Sequence, residues 1–293
     1  MKEKRVRKPR KKWWIWTVAA AAAILLFCLS PLFYFVRSLA VMQVWDRVQE
    51  KGSLLEDTIQ VEIPGGLATR EADWYPFVMN FRADEGFSRW SGQPGTRLSI
   101  LYNFPAFSLK HGCSRLYDAE SPYYNSFYGA YVVQKADGTP YGFLADGTLD
   151  YEKIGQIPCY DYQVLVLGDF GCRSDEFVFD WQVTGTQADL TFAGVSGWQE
   201  VDAKLTVSGA GHRVRDGVMS YLQYGPPGYE APDPEFAPVS LKGRVYIRYY
   251  PEAETTVCLY VVAGTEEICR RCAEEILSGT RIRPVLAENK KES

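Results

Sequence analysis

From Trp13 to Val36 the chain carries no charge, and from Thr58 onward apolar and polar positions alternate in short runs. These two patterns predict two environments. The uncharged run is 24 residues long, and about 20 suffice for a helix to cross a bilayer. It predicts one transmembrane helix over 13–36, closed by Arg37. Val41, Val44, Trp45 and Val48 then recur at helical spacing, which predicts a juxtamembrane helix stopped near Gly52 within a segment spanning 37–57. Its apolar stripe can pack on the domain or pair with another copy, and packing is the reading adopted.

The alternating runs predict strands. They are "TIQVEIPGG" (58–66), "TRLSILYNF" (96–104), "NSFYGAYVVQK" (125–135), "DYQVLVLGD" (161–169), "EFVFDWQVTG" (176–185), "ADLTFAGV" (188–195) and "VDAKLTVSG" (201–209). β-Branched and aromatic residues fill them, and turn residues separate them. Asp137-Gly138 and Asp146-Gly147 signal two hairpins. Residues 212–225 read as a short helix weakened by Gly217. A Pro-rich loop follows at 225–239, and then a strand–strand–helix unit over 240–286 with a tail at 287–293. In that last helix Thr265 suits the N-cap, Glu266 and Glu267 the first turn, and Gly279 the exit. The fold class that results is α+β: one N-terminal transmembrane helix, then an extracytoplasmic domain dominated by antiparallel strands with a few packed helices. Whether 58–286 folds as one unit or two stays open.

Charge sets the orientation. Eight Lys/Arg against one Glu give residues 1–12 a net charge of +7, and the whole-chain −4 leaves −11 for residues 13–293. A basic tail beside Trp13, Trp14 and Trp16 reads as the cytoplasmic side, with everything after the span outside. The bilayer is therefore a predicted partner, and an unidentified protein or cell-envelope ligand is a second. The acidic remainder argues against nucleic acid.

Six of the seven cysteines lie beyond the span: Cys113, Cys159, Cys172, Cys258, Cys269 and Cys272. Cys269 and Cys272 form a CxxC, but they share a helical face with Ile268, Ala273, Ile276 and Leu277, so they read as core residues. Tetrahedral zinc would need two more ligands, and the chain has no second CxxC and only two histidines, His111 and His212. No metal and no cofactor is expected. A disulfide from Cys258 to Cys269 or Cys272 reads as geometrically easy, whereas a strand over 160–167 would hold Cys159 and Cys172 too far apart to bond. The tyrosine-rich stretch 116–131 is either a ligand-stacking platform or an aromatic strand with its loop.

The stretch "KHGCSRL" (110–116) resembles the active-site signature of L,D-transpeptidases, cysteine enzymes that cross-link peptidoglycan. The resemblance implies a nucleophile at Cys113, a motif neighbour at His111 and a binding or orienting role for Arg115. Lys110 stands where that family has Ser or Thr, and no histidine precedes His111. The leading expectation assigns no catalytic residue: a single-pass, membrane-anchored protein carrying a non-enzymatic binding or interaction module. The alternative is a divergent L,D-transpeptidase-like enzyme acting on cell wall. The closing strand–strand–helix unit also loosely resembles the ends of PsbP-type sandwiches.

Overall fold

The computed structural model describes residues 13–66, 73–108, 113–118, 120–168, 172–209 and 236–285. The expected helix over 212–225 and most of the Pro-rich loop lie outside these residues. The described chain is α+β, and its strands pair antiparallel throughout.

The expected single helix over 13–36 is two helices. Helix α1 (Trp13–Cys28) and helix α2 (Pro31–Glu50) meet at a 76° bend. Ser30 at the break is extended, with φ −92 and ψ 154, and Pro31 opens the next helix. Proline cannot continue a helix, because its ring collides with the carbonyl one turn back and its neighbour is pushed to extended backbone. Pro31 was in plain sight, so the break was readable. Among the described residues no single helix is long and apolar enough to cross a membrane, whereas the bent pair passes that test together by length and composition.

Helix α2 then docks on the domain. Met42 and Ser38 are fully buried, Phe35 stacks on Tyr75 with ring centroids 6.2 Å apart, and Ser38 Oγ hydrogen-bonds Tyr75 Oη at 2.8 Å. After the left-handed Gly52 (φ +65), Ser53 caps the one-turn helix α3 (Leu54–Asp57), its oxygen accepting from Leu55 N at 3.2 Å. Strand β1 (Ile59–Glu62) follows.

The centre of the molecule is a seven-stranded sheet. Its members are β2 (Met79–Arg82), β3 (Arg97–Asn103), β6 (Phe127–Gln134), β7 (Phe179–Phe192), β8 (Val195–Ser208), β9 (Pro238–Tyr250) and β10 (Thr255–Ala263). Their spatial order is β2-β3-β6-β10-β9-β8-β7. Strands β4 (Phe107–Ser108) and β5 (Cys113–Ser114) pair separately, and β11 (Arg281–Pro284) joins β1 in a two-stranded ribbon. Every residue of β10 is buried, because both of its faces are covered. Cys258, Tyr260 and Val262 point into one core layer, with α4 (Asp84–Ser91) and α5 (Tyr151–Tyr160). Val257, Leu259, Val261 and Ala263 point into the other, with α3 and α6 (Glu266–Arg271).

Helix α6 matches its sequence reading. Thr265 Oγ1 accepts from Ile268 N at 3.3 Å, and Ile268, Cys269, Cys272, Ala273, Ile276 and Leu277 are buried. The helical path widens to a π-turn over Cys272–Ile276 before it ends at Gly279. Two expectations fail here. Cys258 lies on the opposite face of β10 from Cys269 and Cys272, and all three are free thiols. Side chains on a strand alternate faces, so which cysteine meets α6 depends on the face the helix crosses to, and local sequence does not encode that. The second failure is "DYQVLVLGD". It is helical, continuing α5 as a π-segment over Asp161–Val166 with Leu167 N bonded to Tyr162 O at 2.9 Å. A short apolar run suits strand or helix equally. The Asp150 N-cap upstream, which accepts from Lys153 N at 3.1 Å, decides for helix. The geometric case against a Cys159–Cys172 bond therefore loses its strand, although both are free thiols.

The segments 176–185 and 188–195 are one strand and a turn. The pairing of β7 with β8 shifts register at three places, and Ala193 (φ +50) and Gly194 (φ +73) turn the chain from one to the other. Both Asp-Gly signals mark turns, with Gly138 N bonded to Lys135 O at 3.1 Å and Gly147 N to Leu144 O at 3.0 Å. Only the second closes a small hairpin, through the Phe143–Leu149 bridge.

Candidate functional site

Strand β2 is one edge of the sheet, and α2 covers it through side chains. Asp46 Oδ1 accepts from Asn80 N at 2.7 Å, and Gln49 Oε1 accepts from Arg82 N at 3.0 Å. Two outward amides that would otherwise invite a foreign strand are thus satisfied. Asp46 is half-buried, and burial raises its carboxyl above the ordinary range against the lowering pull of the Asn80 amide.

Beyond this seam the chain leaves a cleft of about 360 Å³ between α2, α3, β1 and β2. Asp46 and Glu50, one turn apart on α2, line one side; Glu56 comes from α3, and Gln60 and Glu62 come from alternate positions on β1. Leu55, Val61, Val78 and Leu101 supply the apolar part of the wall. Four carboxylates and no cationic side chain line the cleft. Glu56 Oε2 accepts from Gly52 N at 2.5 Å, so with Asp46 two of the four are partly committed. Asn80 also lines the cleft and is only 2% exposed. Its amide donates to Ser53 Oγ at 3.4 Å, while its side-chain oxygen has no hydrogen-bond partner among the described residues. The site is rich in acceptors, which suits a ligand that brings donors and positive charge. Among the described residues no group of three or more His, Cys, Asp or Glu converges as a metal site would, so the carboxylates are spread around a volume rather than focused on a point.

Sequence reasoning missed this cleft. Asp46 and Glu50 share a helix face by their spacing, and Gln60 and Glu62 share a strand face. Both half-signals were readable. That the two faces look at each other follows only from α2 docking on the β2 edge.

A second ionisable cluster is closed to solvent. Asp161 is fully buried where α5 passes into its π-segment. Tyr131 Oη donates to its Oδ2 at 2.7 Å, Tyr102 Oη donates to its Oδ1, and Tyr260 stacks on Tyr131 with centroids 4.1 Å apart. Burial pushes the Asp161 carboxyl up to about 7, while the two hydroxyls pull the other way. With no opening to it, the cluster ties α5 to β3 and β6 as a buried polar cross-link.

The residues singled out from sequence fall as follows. Cys113 begins β5, where its backbone pairs with Ser108. His111 and His212 lie outside the described residues. Arg115 forms an ion pair with Asp73, so its guanidinium is engaged within the protein. Tyr117, Tyr123, Phe127, Tyr128 and Tyr131 are buried and Tyr124 is half-buried, so most of the tyrosine-rich stretch builds the core. Burial pushes the Cys269 thiol up to about 12 and raises Cys272 as well, which leaves both as poor nucleophiles and poor metal ligands. No protein-family model matches the chain, and neither a curated protein nor a solved structure does.

Proposed function

We propose that the chain is a single-pass, membrane-anchored protein whose extracytoplasmic domain is a binding module, with the ligand seated in the cleft between α2, α3, β1 and β2. The observation that carries this reading is the lining of that cleft: four carboxylates, an unpaired buried amide oxygen and an apolar wall, with no cation among them. Such a lining favours an organic cation, a lysine or arginine side chain or a polyamine, whose methylenes meet Val61 and Leu101 while its charged end meets the acids. The anchor rests on the apolar character of α1 and on the basic residues that precede it.

Tetralysine and its fully acetylated counterpart test the binding half. Titration of the solubilised chain should give saturable binding of tetralysine only, weakened at least fivefold by the combined Glu50→Gln and Glu62→Gln change and by 0.5 M salt. Equal binding of the acetylated peptide, or indifference to both substitutions, would remove the cleft as the site. Protease added to spheroplasts tests the anchor half: it should digest the domain while cytosolic markers survive. The divergent cell-wall enzyme remains the second reading, and it rests on His111, Cys113 and Arg115 in sequence. A Cys113 that outreacts every other thiol toward iodoacetamide would establish it.

A further inference from the structure

The side of α2 turned away from the sheet carries an uncovered apolar stripe. Leu32 is 47% exposed, Val36 44%, Val44 66% and Val48 55%, and Ala40 between them is exposed too. These positions recur every four residues. Because each such step turns about 40° around a helix of 3.6 residues per turn, the stripe winds diagonally across the whole outward face. The inward face is committed to the domain through Ser38, Met42, Asp46 and Gln49.

We infer that this face of α2 lies on the bilayer surface, with its stripe sunk at the boundary between headgroups and acyl chains. The inference rests on the proposed anchoring by α1. Three observations lead to it. First, counted from Trp13 just after the basic run, the 16 residues of α1 reach about 24 Å at roughly 1.5 Å per residue, less than the roughly 30 Å of a hydrocarbon core, so α1 crosses with the bilayer thinned around it. Its outer end therefore cannot stand clear of the membrane, and only Leu29 and Ser30 separate it from α2. Second, the 76° bend turns α2 to within about 14° of the membrane plane when α1 runs along the normal. Tilts of about 20° are ordinary for spanning helices. Third, the composition fits an interfacial helix: an apolar stripe beside the exposed Arg47, with no acidic residue on the exposed face until Glu50.

A second copy of the chain fits less well. Half-exposed aliphatic side chains present roughly 50 Å² each, so five of them offer about 250 Å². A stable dimer buries about 800 Å² per partner. A bilayer has no such threshold once α1 holds the helix against it. The arrangement also places the acidic cleft, which shares Asp46 and Glu50 with α2, within about one helix diameter of the headgroups.

Photo-crosslinking in the full-length chain, reconstituted in nanodiscs of zwitterionic and anionic phospholipid, tests the inference. Benzoylphenylalanine is placed singly at Leu25, Val44, Val48 and Gln182. Leu25 reports on the anchor, and Gln182 on β7 is the exposed control. Lipid adducts at Val44 and Val48 should exceed those at Gln182 at least tenfold and approach those at Leu25. Lipid adducts at Leu25 together with background levels at Val44 and Val48 would overturn the inference and leave the anchor standing. Chain–chain adducts at Val44 and Val48 would overturn it in favour of a second copy. Background levels at Leu25 would remove the anchor and the inference with it.

Discussion

All nine residues of β10 are buried, while none of the fourteen residues of β7 is. Both strands belong to one sheet, so the difference comes from what lies over them. The half made of β2, β3, β6 and β10 has α4 and α5 on one face, α3 and α6 on the other, and α2 along its edge. The β7 end has no strand beyond it among the described residues, and it relies on bulges and on polar side chains such as Asp180 and Gln182. Those are the usual devices of a free edge. The candidate site arises where the sheet is covered by a helix that precedes it in the chain and docks on its edge.

The largest expected contrast is between the two edges. Met42 of α2 is fully buried at the covered edge, so Met42→Ala should cost about 2–5 kcal/mol in urea unfolding, as buried large-to-small changes do. A loss below about 1 kcal/mol would mean that α2 does not contribute to the fold, and the covered-edge account would fail with it.

Asp161 gives the covered half its own pH signature. Its folded-state carboxyl is pushed up to about 7 by burial, against about 3.9 for an unfolded aspartate. The folded state therefore holds a proton that the unfolded state has released. Stability from this residue is fully present below about pH 4 and is lost as pH rises through about 7, by a total on the order of 4 kcal/mol. This slope is opposite in sign to that of a salt-bridged carboxylate. Asp161→Asn should flatten the curve between those limits. A wild-type curve already flat there would show that the carboxyl is not raised.

A smaller effect separates the edge contact from simple burial. Asp46→Ala removes the acceptor of the Asn80 amide, which should cost about 1–3 kcal/mol, the penalty of an unpaired buried donor. Asp46→Asn keeps an acceptor and should recover most of that loss. Equal losses in the two variants would mean that the carboxylate charge, not the edge amide, is what matters.

The two halves also differ in how legible they were. Alternation works where one face is wet, yet β7 was read as two strands, 176–185 and 188–195, and β8 only from Val201, because the bulges and the Ala193-Gly194 turn break the period. In the covered half both faces are apolar and the period-2 signal fades, so β3, β6 and β10 were read from their β-branched and aromatic residues, while β2, α4 and α5 were not read. There "DYQVLVLGD" passed for a strand, and the side of β10 on which Cys258 lies could not be told. Helix α6 was legible because its cap, its charges and its apolar face agree. The cleft was not, because it needs α2, α3 and β1 brought together by a long-range contact. The break at Pro31 was present in the sequence as a local rule of backbone geometry, and the length of the apolar run concealed it.

The smallest expected effect lies at the open edge and closes the comparison. Val183 on β7 pairs with Ala203 of β8 and is 36% exposed. Its side chain adds little to the core, because it is more exposed than Trp181, which lies against Gly155 of α5. Surface substitutions away from caps, networks and strained backbone stay within about 0.5 kcal/mol. Val183→Ala keeps the backbone ladder intact and removes only two half-wet methyl groups, so its unfolding midpoint should lie within error of wild type. Measured beside Met42→Ala in the same urea series, it turns the comparison of edges into a ratio. A loss at Val183 as large as the one at Met42 would show that β7 is covered in the native protein by something the described residues do not include, and the edge would no longer count as open.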